Sequence, residues 1–268
     1  MLRANYHTHT YLCKHASGDI ADYCKKALQQ HISILGFSDH MPIPDNRWHE
    51  VRMSCTELSG YCERIDQAKK DFPDLEILKA LECEYIPEFK NFQREILLGK
   101  YKLDYLVQGN HNFLNGPNWE SVFCSNLNKR QLHLYTDSLI TAMHTGLYAF
   151  IAHPDAFGTS YLTWDNETTA CSRAILSAAE ETHIPLELNT YGLRKPPKKT
   201  PNGMRPPYPL TEFWRLAAEY KIDVLINSDA HRPIDVWGNN DDGYDLAKKF
   251  QLNIINDTFY KTLGSPKK

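Results

Sequence analysis

Short apolar runs along this chain stop, again and again, at a histidine. Leu2–Tyr6 leads into His7-Thr8-His9, Ile34–Phe37 into Ser38-Asp39-His40, and Tyr105–Gln108 into Gly109-Asn110-His111. Tyr148–Ala152 leads into His153-Pro154-Asp155, and Val224–Asn227 into Ser228-Asp229-Ala230-His231. Between these strand-like runs lie longer stretches of helical period. Asp19 is placed to cap a helix reaching about His31, with Ile20, Tyr23, Ala27 and Leu28 inward. Thr56–Phe72 repeats Leu58, Tyr61, Ile65 and Ala68 at helical spacing, and Pro73 ends it. Further helices are expected over Arg130–Thr145, Glu167–Thr182, Leu210–Tyr220 and Asp241–Phe250, with strands over Leu75–Tyr85, Pro185–Asn189 and Asn253–Ile255. The Pro-rich tract Lys195–Pro209 reads as an irregular rim loop.

This alternation is a βα repeat of about seven units, which predicts an α/β fold on a parallel sheet. Open sheets and closed barrels both gather their sites at the carboxyl ends of the strands. Ligands supplied by so many separate strand ends favour a TIM-like barrel, because a closed rim brings them together. No stretch reads as a linker, so residues 1–268 are expected to form one domain.

Charge and cysteine usage narrow the function. A net charge of -3 argues against a general nucleic-acid surface. No apolar run approaches a membrane span, and the N-terminus enters a strand pattern without an apolar leader. The seven cysteines form no CxxC pair and are odd in number, which predicts reduced thiols, a cytoplasmic location and no thiolate zinc site. Twelve histidines are the real excess.

Their spacing suggests chemistry. His7 and His9, two apart at a strand end, can point to one side and share a metal. Asp229 and His231 repeat the spacing. Mixed imidazole and carboxylate donors suit Zn, Mn or Fe. A carboxylate bridging two ions should come from another strand, and Ala80-Leu81-Glu82-Cys83-Glu84 offers Glu82 or Glu84 on the same face, between which periodicity does not choose.

HTH at 7–9, SDH at 38–40, LEC at 81–83, GNH at 109–111, AHPD at 152–155 and SDAH at 228–231 occur in this order. In this respect the chain resembles the polymerase and histidinol phosphatase (PHP) family over nearly its whole length. FSDHMPIP (37–44), KALECEYIPEF (79–89), LELNTYGLRKP (186–196) and SDAHRPIDV (228–236) are similar to its histidinol-phosphate phosphatase branch. The resemblance implies a distorted (β/α)7 TIM-like barrel with up to three divalent metal ions at the C-terminal ends of its strands. It assigns His7, His9, Glu82 and Asp229 to one ion, Glu82, His111 and His153 to a second, and His15, His40 and His231 to a third. Glu82 is preferred over Glu84 because the family's bridging glutamate follows a small residue and a leucine. Ala80 stands where the family commonly has glycine.

The implied reaction is hydrolysis of a small phosphate ester, L-histidinol phosphate, in histidine biosynthesis, with Glu82, Asp229 and His231 as catalytic groups. Divalent ions at such a cluster lower the pKa of a shared water and neutralise phosphoryl charge. Arg194 and Arg232, with Lys195 after them, are the cations expected to grip phosphate. Asp39 and Asp155 flank ligands and could orient imidazoles. His31, His49, His133, His144 and His183 are left to surface or core roles. Two other readings compete. A nuclease of the same family would show a basic groove or a fused polymerase, and an inactive scaffold would lack ligands. Nothing in the sequence sets the oligomeric state.

Overall fold

The computed structural model describes residues 2–263; residue 1 and residues 264–268, the ends of the expected domain, lie outside the described residues. Two compact units make up the chain. The first takes residues 2–107, 227–238 and 255–263, and the second residues 108–226 and 239–254.

In the first unit, strands β1 (Ala4–Asn5), β2 (Ile34–Phe37), β3 (Glu76–Cys83) and β4 (Tyr105–Gln108, which runs to the unit's boundary) lie side by side in chain order. β1 pairs parallel with β2, and β2 with β3 from Ile34↔Glu76 to Phe37↔Lys79. All of β2 and all of β3 after Glu76 are buried, as expected for a parallel sheet covered on both faces. Helix α1 (Ile20–Gln29) begins at Asp19, whose carboxylate and that of Asp22 form a reciprocal cap. Its buried face is Ile20, Tyr23, Cys24 and Ala27, so Cys24 packs inward where Leu28 was expected. Helix α2 (Leu58–Asp71) buries Leu58, Tyr61, Ile65 and Ala68 as their spacing predicts. A π-helical segment, Phe92–Lys100, was not legible in the sequence. Gly36 is required by a close approach: a Cβ there would stand 1.9 Å from the Tyr105 hydroxyl, which donates to the Tyr6 carbonyl at 2.6 Å.

The second unit opens with an unforeseen hairpin, β5 (Asn112–Asn115) and β6 (Asn118–Ser121), turning at Gly116 with φ +63°. Helix α3 (Lys129–Met143) starts from an Asn128–Gln131 capping box, and α4 (Asn166–Thr182) from Asp165. Strands β7 (Phe150–Ile151) and β8 (Leu186–Asn189) pair parallel. The Pro-rich tract departs from the irregular loop expected of it. It holds an antiparallel hairpin, β9 (Lys198–Thr200) and β10 (Gly203–Arg205), because Pro201-Asn202 supplies the two-residue turn and Gly203, opposite Thr200, takes φ +106°. Helix α5 (Thr211–Ala217), strand β11 (Asp223–Asn227), helix α6 (Asn240–Lys249) and strand β12 (Asn253–Ile254) follow. The order of the parallel strands here is β7-β8-β11-β12. Among the described residues no helix is long and apolar enough to cross a membrane.

Candidate metal centre

Seven of the nine expected ligands meet in the first unit. His7 and His9 follow β1, and Thr8 bridges to Ala230, which draws the Asp229–His231 turn against them. His40 follows β2 and bridges to Glu82 at the end of β3. The Nε2 atoms of His7 and His9 are 3.0 Å apart, and each lies 3.4 Å from Glu82 Oε2. Asp229 Oδ1 is 3.5 Å from His7 Nε2 and 3.1 Å from His9 Nε2. His40 Nδ1 stands 3.1 Å from the same Glu82 oxygen. Three imidazoles thus converge on one carboxylate oxygen, and all four side chains are buried.

His15 and His231 show what this arrangement needs. Their Nε2 atoms face each other at 3.0 Å. His15 Nδ1 is 2.6 Å from the Cys13 carbonyl, and His231 Nδ1 is 3.0 Å from the Asp229 carbonyl. A carbonyl only accepts, so in each ring Nδ1 carries the proton. With both rings neutral, the two Nε2 atoms present lone pairs to each other, an arrangement that a shared cation satisfies. Burial pushes His231 down to about 3 and also lowers His9, so both are neutral at pH 7. For Asp229, burial alone would raise the carboxyl, but His7, His9 and His231 together hold it well below the usual range, so it is anionic. Neutral imidazoles beside anionic carboxylates are the donor set of a Zn, Mn or Fe site. The residues fit a divalent metal.

Backbone strain marks two of the nine. His153 and Asp229 hold φ of +31° and +47°, a region that costs a residue with a Cβ of order 1–3 kcal/mol. Both are turned back on themselves directly after a strand.

His111 and His153 meet in the second unit, with ring centroids 5.0 Å apart. The backbone N–H of His153 donates to Glu187 Oε2 at 3.1 Å, and Asn189 Nδ2 donates to the same oxygen at 2.8 Å. Glu187 is wholly buried and had no signal in the sequence beyond its place in LELN. Arg194 donates to the Thr190 carbonyl at 3.3 Å and lies over the Tyr191 ring. Arg232 is largely exposed and donates from Nε to Asp235 at 2.7 Å.

The two flanking aspartates hold backbone and side-chain donors rather than gripping imidazoles. Asp39 accepts from Thr10 N at 2.9 Å and Thr10 Oγ1 at 2.7 Å, and stands 4.0 Å from His9 Nδ1. Burial raises it to about 7. Asp155 accepts from Leu210 N at 2.6 Å and Trp214 Nε1 at 3.1 Å, and burial raises it to about 6.

Two residues the sequence reading passed over also stand beside the cluster. The Cys13 sulfur lies within 4.8 Å of ligand atoms of His15 and His231, but burial and then Asp39 push its thiol up to about 12. Arg52 closes a ring of contacts around the Glu82 strand end. Met41 N donates to Glu82 O at 2.8 Å, Arg52 Nη1 donates to Met41 O at 3.0 Å, and Arg52 Nη2 is 3.6 Å from Glu84 Oε1. Both charged side chains are buried, so Glu84 is engaged with Arg52 while Glu82 faces the histidines. Only folding brings position 52 next to position 84.

The PHP domain model matches residues 5–191. This chain belongs to the PHP family. A Deinococcus radiodurans relative named "Probable histidinol-phosphatase" is 32% identical over 241 residues, covering 86% of each chain. The Bacillus subtilis histidinol-phosphatase is 25% identical over 269 residues, covering 88% of this chain and 96% of its own. Among solved structures, a HisK protein of Listeria monocytogenes superposes with a TM-score of 0.73 at 20% identity, over 90% of this chain and 99% of that one. Histidinol phosphate phosphatase of Lactococcus lactis, solved with zinc, L-histidinol and phosphate, gives 0.72 at 16% identity, over 94% and 95%. These likenesses establish the fold class as the distorted TIM-like α/β barrel expected of PHP proteins.

Proposed function

We propose that this chain is a histidinol-phosphatase, a metal-dependent phosphomonoesterase that hydrolyses L-histidinol phosphate to L-histidinol and phosphate in histidine biosynthesis. The reading is carried by the match along nearly the full chain to relatives bearing that name. The gathering of the family's ligand types at the ends of β1, β2 and β3 supports it. His7, His9, Glu82 and Asp229 hold one ion, and His15, His40 and His231 another; the motif order assigns His111 and His153 to a further one. The ions are Zn, Mn or Fe, up to three in number, and they supply a water of lowered pKa and a counter-charge for the phosphoryl oxygens.

The protein's own part is positioning and charge. Glu82, with three imidazoles on one oxygen, sets the separation of the ligands around it. Asp229 is kept anionic and His231 neutral, so both present lone pairs at pH 7. Arg194, Lys195 and Arg232 oppose the phosphoryl charge. The partner is a small phosphate ester and not nucleic acid, in keeping with the net charge of -3. All seven cysteines are free, which accords with the cytoplasm. The deciding assay is phosphate release by protein reconstituted with Mn or Zn, offered L-histidinol phosphate, a nucleoside monophosphate and a single-stranded oligonucleotide. Histidinol phosphate should be turned over best. Oligonucleotide cleavage without release of phosphate from histidinol phosphate would overturn the reading in favour of a nuclease.

A further inference from the structure

The hairpin β9–β10 closes one side of a cavity of about 110 Å³ that lies wholly within the second unit. Phe157, Tyr161, Trp164 and Leu210 give it apolar walls, and Arg205 and Glu212 give it opposite charges. A buried water needs on the order of 10–15 Å³, so this space suits a small organic molecule rather than a lone water. The walls are fixed. The Tyr161 hydroxyl donates at 2.8 Å to Asp165, which also caps α4.

The two charges are held apart. Half-buried Arg205 donates from Nη1 to the Pro206 carbonyl at 2.8 Å and the Pro207 carbonyl at 3.2 Å, and from Nη2 to the Tyr161 carbonyl at 3.4 Å. That engages three of the five N–H donors of a guanidinium. The two left over are the number a carboxylate takes in bidentate fashion. Burial lowers the Arg205 guanidinium from its ordinary value, and Glu212 and then Asp155 oppose this from beyond ion-pair contact. The cation is thus left short of negative charge in its place. Glu212 in turn makes no hydrogen bond or ion pair among the described residues. Opposite charges that line one cavity without meeting suit a ligand that carries both. A plain carboxylate would satisfy Arg205 but bring its charge toward Glu212, and a phosphate ester would do so more strongly.

We propose that this cavity is an effector site for a free α-amino acid with an apolar side chain. The carboxylate binds Arg205, the ammonium binds Glu212, and the side chain lies against Trp164 and Phe157. The same walls lead to His153. Leu210 lines the cavity, and its backbone N–H donates at 2.6 Å to Asp155, two residues after His153. Phe157, two residues further on, belongs to the helical turn Ala156–Thr159. A ligand that presses on Leu210 and Phe157 therefore bears on both ends of the segment holding Asp155, and through it on His153, already turned to φ +31°.

The test titrates L-leucine and L-phenylalanine calorimetrically into the metal-replete full chain. At least one should bind. Its counterparts lacking one charge (4-methylpentanoate and isopentylamine, or 3-phenylpropanoate and phenethylamine) should bind at least about tenfold more weakly, the loss expected for a charge-assisted hydrogen bond. Glu212→Gln removes no contact from the fold and should weaken binding of the amino acid by the same factor. Arg205→Gln should do likewise; should it fail to fold, because Arg205 also holds three carbonyls, Glu212→Gln and Trp164→Ala carry the test. Absence of saturable binding by either amino acid overturns the proposal. So does binding that Glu212→Gln leaves unchanged, which would place the amino acid on the metals instead. The bound amino acid should also shift kcat on L-histidinol phosphate in the parent and not in Glu212→Gln. An unaffected kcat would refute the effector role. Only this last readout rests on the phosphatase reading above: a chain that binds the amino acid through Glu212 yet leaves histidinol phosphate intact would refute that reading and support the cavity's ligand.

Discussion

Glu82 and Glu84 share a strand face, and only their partners separate them. Glu82 Oε2 receives three imidazoles at 3.1–3.4 Å, whereas Glu84 stands 3.6 Å from buried Arg52. Glu82→Ala should therefore lose bound metal and cut turnover by more than the roughly 10–100-fold that loss of an outer partner brings. Glu84→Ala should retain the metal and fall within that range. Elemental analysis beside kinetics decides it, and metal loss in Glu84→Ala alone would reverse the assignment. His231 carries a pH prediction. It titrates near 3 in the fold against an ordinary 6.5, so between those values the unfolded chain binds the extra proton. Its contribution to stability is whole above pH 6.5 and is lost as pH falls toward 3, by up to about 1.4 kcal/mol per pH unit. Asp39 and Asp155, raised to about 7 and about 6, work in the opposite direction, so the parent's total slope is a balance. The comparison with His231→Asn isolates the histidine. Urea unfolding of both metal-free proteins from pH 7 to pH 4 should show the parent losing stability relative to the variant, and parallel curves would contradict the shift.

At the scale of elements, the turns after strands carry the specialised geometry. Gly192 lets the Tyr191–Arg194 turn pass under Tyr208, with 2.0 Å between a would-be Cβ and a backbone oxygen that has little room to yield. Gly192→Ala should destabilise the protein by about 1–3 kcal/mol, the usual effect of overpacking. Thermal melts would register it, and an unchanged Tm would show that the turn accommodates a methyl group. The sequence placed β2, α1, α2 and β4 closely, because the helices bury one periodic face, the two strands are short runs buried throughout, and Asp19 is a plain cap. It overlooked the hairpins β5–β6 and β9–β10. Their short strands bury little beyond Phe113, and their pairing depends on the turns at Gly116 and at Pro201-Asn202.

For the whole molecule, the metal should act as part of the fold. The cluster ties segments after β1, β2 and β3 to the turn at 229–231, and any ion bound there binds the native chain alone. At free metal about 100 times Kd this adds about 2.7 kcal/mol, or roughly 5–10 °C in Tm for a chain of this size. Chelation should lower Tm by that order and abolish phosphatase activity, and Mn or Zn should restore both. A chelated protein shown free of metal that keeps its Tm and its turnover would refute a metal role in either.

The order of strand ends and histidines is a local property, readable because seven of the nine candidate ligands sit one to four residues past an apolar run, Glu82 and His15 being the exceptions. From this the sequence by itself determined the α/β class, the candidate ligands and, through the ordered motifs, the family. It could not choose Glu82 over Glu84 by period, since residues two apart on a strand look alike until their neighbours are known. Nor could it reveal Arg52 against Glu84, the shared proton logic of His15 and His231, or the hold of Arg205 on the Tyr161 carbonyl. Those contacts join residues 32, 216 and 44 positions apart, and tertiary structure decided them because packing, not periodicity, selects which distant groups meet.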